Sequence, residues 1–71
     1  MQQPQSTSTS NTYYNVVSVL YHALEEAQTA TGYIQDAEQS GNQDLAQFFR
    51  SVQQAANQQA EQAKQMLSKL G

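Results

Sequence analysis

The sequence predicts an all-α fold: two long helices forming an antiparallel hairpin, which pairs with a second copy into a four-helix bundle. Three observations carry this expectation. From Thr12 onward the chain is dominated by Ala, Gln, Leu and Glu, residues that favour helix. On either side of position 41 the apolar residues gather on one side of a helical wheel. Between the two stretches stands Ser40-Gly41-Asn42, a helix stop followed at once by a helix start.

The first segment, residues 1–11, reads MQQPQSTSTSN and carries no charged side chain. Apart from Met1 it has nothing to bury, so it cannot offset the entropy of being ordered and is expected as a disordered tail. The first helix is expected over about 12–40, with Asn11 or Thr12 as its N-cap. On its wheel Val16, Val17, Leu20, Leu24, Ala27 and Ile34 share one stripe with Tyr13 and Ala23. Asn15, Ser18, His22, Glu25, Thr29 and Asp36 lie opposite. Gly41 suits the left-handed residue that closes a helix, and Asn42 suits the cap of the next, which places the turn at 40–43. The second helix is expected over about 43–70. Phe48, Phe49, Val52, Ala56, Ala63 and Leu67 form its stripe with Leu45, Ala55, Met66 and Leu70. Arg50, Gln54, Asn57, Glu61 and Gln65 point away. Asp44 in the first turn and Lys69 in the last complement the helix dipole.

So short a link makes the helices antiparallel neighbours. The expected register sets Ile34 against Phe48, Ala27 against Ala55 and Val16 against Met66, with small alanines in the middle. Gln59 interrupts the stripe and is a candidate for fixing register. A lone hairpin leaves one side of each stripe wet, and about a dozen large apolar residues make a thin core for 71 residues. The candidate interface is therefore Val16, Val17, Leu20, Leu24, Ala27, Ile34, Phe48, Phe49, Val52, Ala56, Ala63 and Leu67. The expected partner is a second copy, in a homodimer.

Composition narrows the function. Three basic residues against six acidic ones do not suit a protein that binds nucleic acid by neutralising phosphates. Zero Cys removes disulfide scaffolds, thiolate metal sites and a cysteine nucleophile, and is compatible with the cytoplasm as compartment. No apolar run approaches the roughly 20 residues of a membrane span. One His and one Arg leave no catalytic set, so no enzyme activity and no cofactor are expected. His22, Glu25 and Glu26 neighbour one another on the helix and are the weak metal candidates, although His22 points away from the stripe. Tyr14 and Tyr21 form a row on the flank of the stripe, continued by Gly32, and suit an edge that meets another hairpin. Fourteen glutamines give a weakly charged outer surface. The expected role is a noncatalytic structural or interaction protein; the alternative is a metal site completed between subunits.

The segments VVSVLYHALEEAQTATGYIQDAEQSG and NQDLAQFFRSVQQAANQQAEQAKQML resemble small bacterial helical-hairpin proteins of ferritin-like character. The shared features are an LYHAL-type start, a Y-I-x-D-A-E segment, a Gly turn and an L-A-x-F-F-R segment, covering Tyr14 to Leu67. The resemblance implies paired helical hairpins and, often in that superfamily, a di-iron centre built from inward Glu residues and Glu-x-x-His pairs. This chain departs from the ligand pattern. Val19 stands three before His22, no second His exists, and helix 2 carries Gln53, Gln54 and Gln58 where acidic ligands would stand.

Overall fold

The computed structural model describes residues 11–70, which form two helices packed against each other: α1, Asn11–Gln39, and α2, Gln43–Leu70. There is no strand among the described residues. Of the expected tail, residues 1–10 lie outside the described residues, while Asn11 already belongs to α1.

The reversal between the helices is compact and closed by hydrogen bonds on both sides. Asn42 N donates to Ala37 O at 2.9 Å and Gly41 N to Glu38 O at 3.0 Å, the paired bonds of a Schellman closure. That closure needs a left-handed residue, and Gly41 supplies it with φ 76°. Ser40 Oγ also donates to Ala37 O at 3.0 Å. One residue later Asn42 Oδ1 accepts from Leu45 N at 3.1 Å, capping α2, and Asp44 sits in its first turn. Each orphan group that these residues satisfy would otherwise have to be hydrated, so the chain turns within three residues.

The seam is made of alanine. The buried residues among those described are Ala23, Ala27, Ala30 and Ala37 on α1 and Ala46, Ala56, Ala60 and Ala63 on α2. The half-buried Val16, Leu20 and Ile34 complete the α1 row, and Phe49, Gln53 and Leu67 complete the α2 row. Along both helices these positions alternate steps of three and four, the repeat that keeps one line of side chains facing a partner helix. Small side chains on both sides allow close backbone approach. They also bury little: at roughly 25 cal/mol per Å², a methyl group contributes far less than a leucine side chain.

This arrangement corrects the expected register. Phe49 and Ala56, not Phe48 and Ala55, turn toward α1, so α2 is rotated by about one residue from the expected pairing. Phe48 is 58% exposed. Tyr13, expected in the core, is exposed as well. The apolar stripe is broader than the seam, and close approach selects the alanine-bearing line within it. The bulkier residues are displaced to the flanks.

Candidate functional site

Rows of side chains spaced by seven residues run along each helix, and they divide the hairpin into two flanks with the seam between them. On one flank, α1 carries Val17, Leu24, Thr31 and Glu38, and α2 carries Arg50, Asn57 and Lys64. Polar links cross the seam here. Arg50 Nη2 donates to Glu38 Oε2 in an ion pair, and Arg50 Nη1 donates to Gln47 Oε1 at 3.1 Å. Arg50, expected to point away, is therefore half-buried beside α1. Gln53 Nε2 donates to Ala27 O at 2.8 Å and to Thr31 Oγ1 at 3.0 Å. Gln53 is thus the polar residue within the seam. Gln59, expected in that role, is exposed. We refer to this flank as the linked face.

The other flank carries Val19, Glu26, Tyr33 and Ser40 from α1 against Leu45, Val52, Gln59 and Met66 from α2. Two depressions open on it. Near the turn, a cleft of about 260 Å³ is lined by Tyr33, Asp36, Ala37, Ser40, Leu45 and Phe49. The Tyr33 and Phe49 rings lie 5.3 Å apart, and Phe49 lies 5.6 Å from Phe48, so the aromatics form a short chain there. Near the open end, a groove of about 520 Å³ has Val16 and Ala63 at its floor and Val19 and Met66 at its walls. Asn15, Gln59, Gln62 and Gln65 supply its amide rim. This flank is the grooved face.

The expected interface residues separate into three groups. Ala27, Ala56 and Ala63 are buried within the hairpin's own seam. Val16, Leu20, Ile34, Phe49, Val52 and Leu67 are half-buried. Val17, Leu24 and Phe48 are exposed. Ala23, Ala30, Ala37, Ala46, Gln53 and Ala60 belong to the seam but not to the expected interface set. The alternation of three- and four-residue steps, followed strictly through each helix, finds all six.

His22, Glu25 and Glu26 are exposed and share an open depression with Thr29 and Tyr33. Ser18 Oγ lies 3.5 Å from Nδ1 of the His22 ring, and the Tyr21 ring meets it edge-on at 5.4 Å. The described residues include no group of three or more His, Asp or Glu side chains placed to hold a metal ion. Glu61 pairs along α2 with Lys64 at 3.3 Å. Tyr14 and Tyr21 are both exposed, and beyond its own stretch of helix nothing comes within 4 Å of where a Cβ on Gly32 would stand. Much of the glutamine surface is gathered on α2, where Gln54, Asn57, Gln58, Glu61, Gln62 and Gln65 line an open polar trough.

No helix among the described residues is long and apolar enough to cross a membrane. No protein-family model matches the sequence, and no curated protein or solved structure matches it.

Proposed function

We propose that the protein is a noncatalytic helical hairpin that acts by self-association, two copies pairing into a four-helix bundle. The observation that carries this reading is the composition of the seam. Because alanines occupy it, Val17, Val19, Leu24, Leu45, Phe48, Met66, Leu70 and four tyrosines remain between 39% and 61% exposed. So many large apolar groups on so small a domain mark an association surface. An alanine seam alone contributes little toward the ordering entropy of two 28- to 29-residue helices. A second hairpin is the simplest cover, since a two-fold axis supplies a matching surface without any further gene product. Charged residues are only 13% of the chain, so little repulsion opposes it.

Native mass spectrometry of the untagged full chain, purified without chelator, tests the proposal. The expected result is twice the chain mass, with a thermal midpoint that rises with protein concentration. A monomer with a concentration-independent cooperative transition would overturn it. The same spectrum tests the alternative, a metal held between subunits by His22, Glu25 and Glu26. Stoichiometric iron or zinc in the wild type, lost in His22→Ala, would replace the metal-free reading.

A further inference from the structure

We propose that the second copy docks on the grooved face, with Phe48 of each chain seated in the open-end groove of the other about a two-fold axis. The inference rests on the self-association reading and names the surface and register by which it occurs.

Both depressions lie on one face. Leu45 lines the cleft near the turn, Met66 lines the groove near the open end, and the two belong to one row on α2. Tyr33 and Val19 make the same link along α1. Phe48 stands three residues after Leu45 and four before Val52, so it projects from this same side. Its ring is 58% exposed, with Phe49 beside it. A knob thus sits at the turn end of the face and an apolar recess at the open end. The groove of about 520 Å³ has room for a phenyl ring, and its Val16, Ala63, Val19 and Met66 lining suits one.

The spacing suits a two-fold. Phe48 and the groove at Gln62 are separated by about 21 Å along α2, at 1.5 Å per residue. The midpoint between them falls at Ala55, next to the centre of α2. An axis there carries each Phe48 onto the partner's groove in one operation and overlaps the hairpins along nearly their whole length. Two helices of about 40 Å, set 8–10 Å apart, present on the order of 800 Å². That is about what each partner contributes to a standard stable interface.

The linked face has no such match. Its turn end is occupied by the Arg50–Glu38 ion pair and the Gln53–Thr31 hydrogen bond, and its apolar residues Val17 and Leu24 lie only toward the open end. A two-fold on that face would lay ion pairs over leucines. The grooved face carries two carboxylates, Asp36 at the turn-end cleft and Glu26 midway between Val19 and Tyr33. The axis brings the two Glu26 carboxylates toward each other, so their charge weakens the dimer.

Sedimentation equilibrium on the full chain tests the register. Phe48→Ala should raise the dimer Kd at least tenfold while leaving helicity unchanged by circular dichroism. Leu24→Ala, on the opposite face, should leave Kd within about threefold. Glu26→Gln should lower Kd. In this cysteine-free chain, Ala55→Cys should crosslink to its own copy through a short bis-maleimide, whereas Lys64→Cys should not. A wild-type dimer that ignores Phe48→Ala, or that crosslinks through Lys64→Cys and not Ala55→Cys, would overturn this docking and leave self-association standing. A monomeric wild type would leave the grooved face to a different protein and overturn both. If Phe48→Ala loses helicity, Glu26→Gln and the cysteine pair still decide the question.

Discussion

The linked face and the grooved face are built from the same two helices and share one seam, yet their side chains find partners in different ways. Toward the turn, the linked face joins Glu38 to Arg50 and Thr31 to Gln53, so its polar groups are satisfied inside the chain. At the same distance from the turn, the grooved face presents Tyr33, Leu45, Phe48 and Phe49, a larger apolar surface than one hairpin can enclose. The contrast shows how a thin seam assigns different tasks to its two flanks. Polar bridges across the seam hold the helices in register, while bulky groups that the seam rejects stay exposed on the flanks.

The largest expected effect removes both faces at once. Ala30 is fully buried, and Ala30→Glu would place a carboxylate between closely approaching backbones, at a cost of several kcal/mol or more. Loss of the cooperative melting transition by circular dichroism is expected. The next experiment separates the faces. Leu45→Gln and Leu24→Gln alter side chains that are 40% and 45% exposed. The first should destabilise the protein by about 1–2 kcal/mol and flatten the concentration dependence of Tm, because Leu45 lies on the face proposed for docking. The second should remain within about 0.5 kcal/mol, as an ordinary surface change. Equal effects in chemical denaturation would erase the distinction between the two flanks.

Gly41→Ala acts on the turn that both faces share. A Cβ at φ 76° should cost about 1 kcal/mol in urea unfolding without changing the oligomeric state. Gln53→Ala should cost about 0.5–1.5 kcal/mol by removing the two bonds that pin the seam, with its effect confined to the linked face. The smallest effect belongs to Arg50→Gln. The pair with Glu38 is around two-fifths exposed, so it should contribute roughly 0–1 kcal/mol, fading as salt is added. A larger, salt-insensitive loss would mean that the linked face depends on its ion pair more than its hydrogen bonds.

The turn was legible from Ser40-Gly41-Asn42 because capping is local. A glycine free to adopt positive φ and an asparagine able to accept from a nearby amide carry their geometry with them. Both helices were legible for a similar reason, through residue preference and a repeated apolar stripe. The line within each stripe that would meet the other helix was not. Val17, Leu24, Phe48 and Ala55 looked as suitable for the seam as Ala23, Ala56 or Ala60, since a wheel records direction but not how closely two backbones will approach. Gln53 was hidden by its polarity: its amide enters the seam only because the Ala27 carbonyl and Thr31 hydroxyl stand opposite it.

The sequence by itself determined the two helices, the site of reversal and the excess of large apolar residues over what a hairpin can enclose. These follow from local torsional preference, capping and composition, which act over a few residues. Only the tertiary structure decided that alanines would form the seam, that Phe48 would face outward, and that both grooves would open on one side. Those outcomes depend on the separation and rotation of one helix against the other, settled by the packing of two surfaces together.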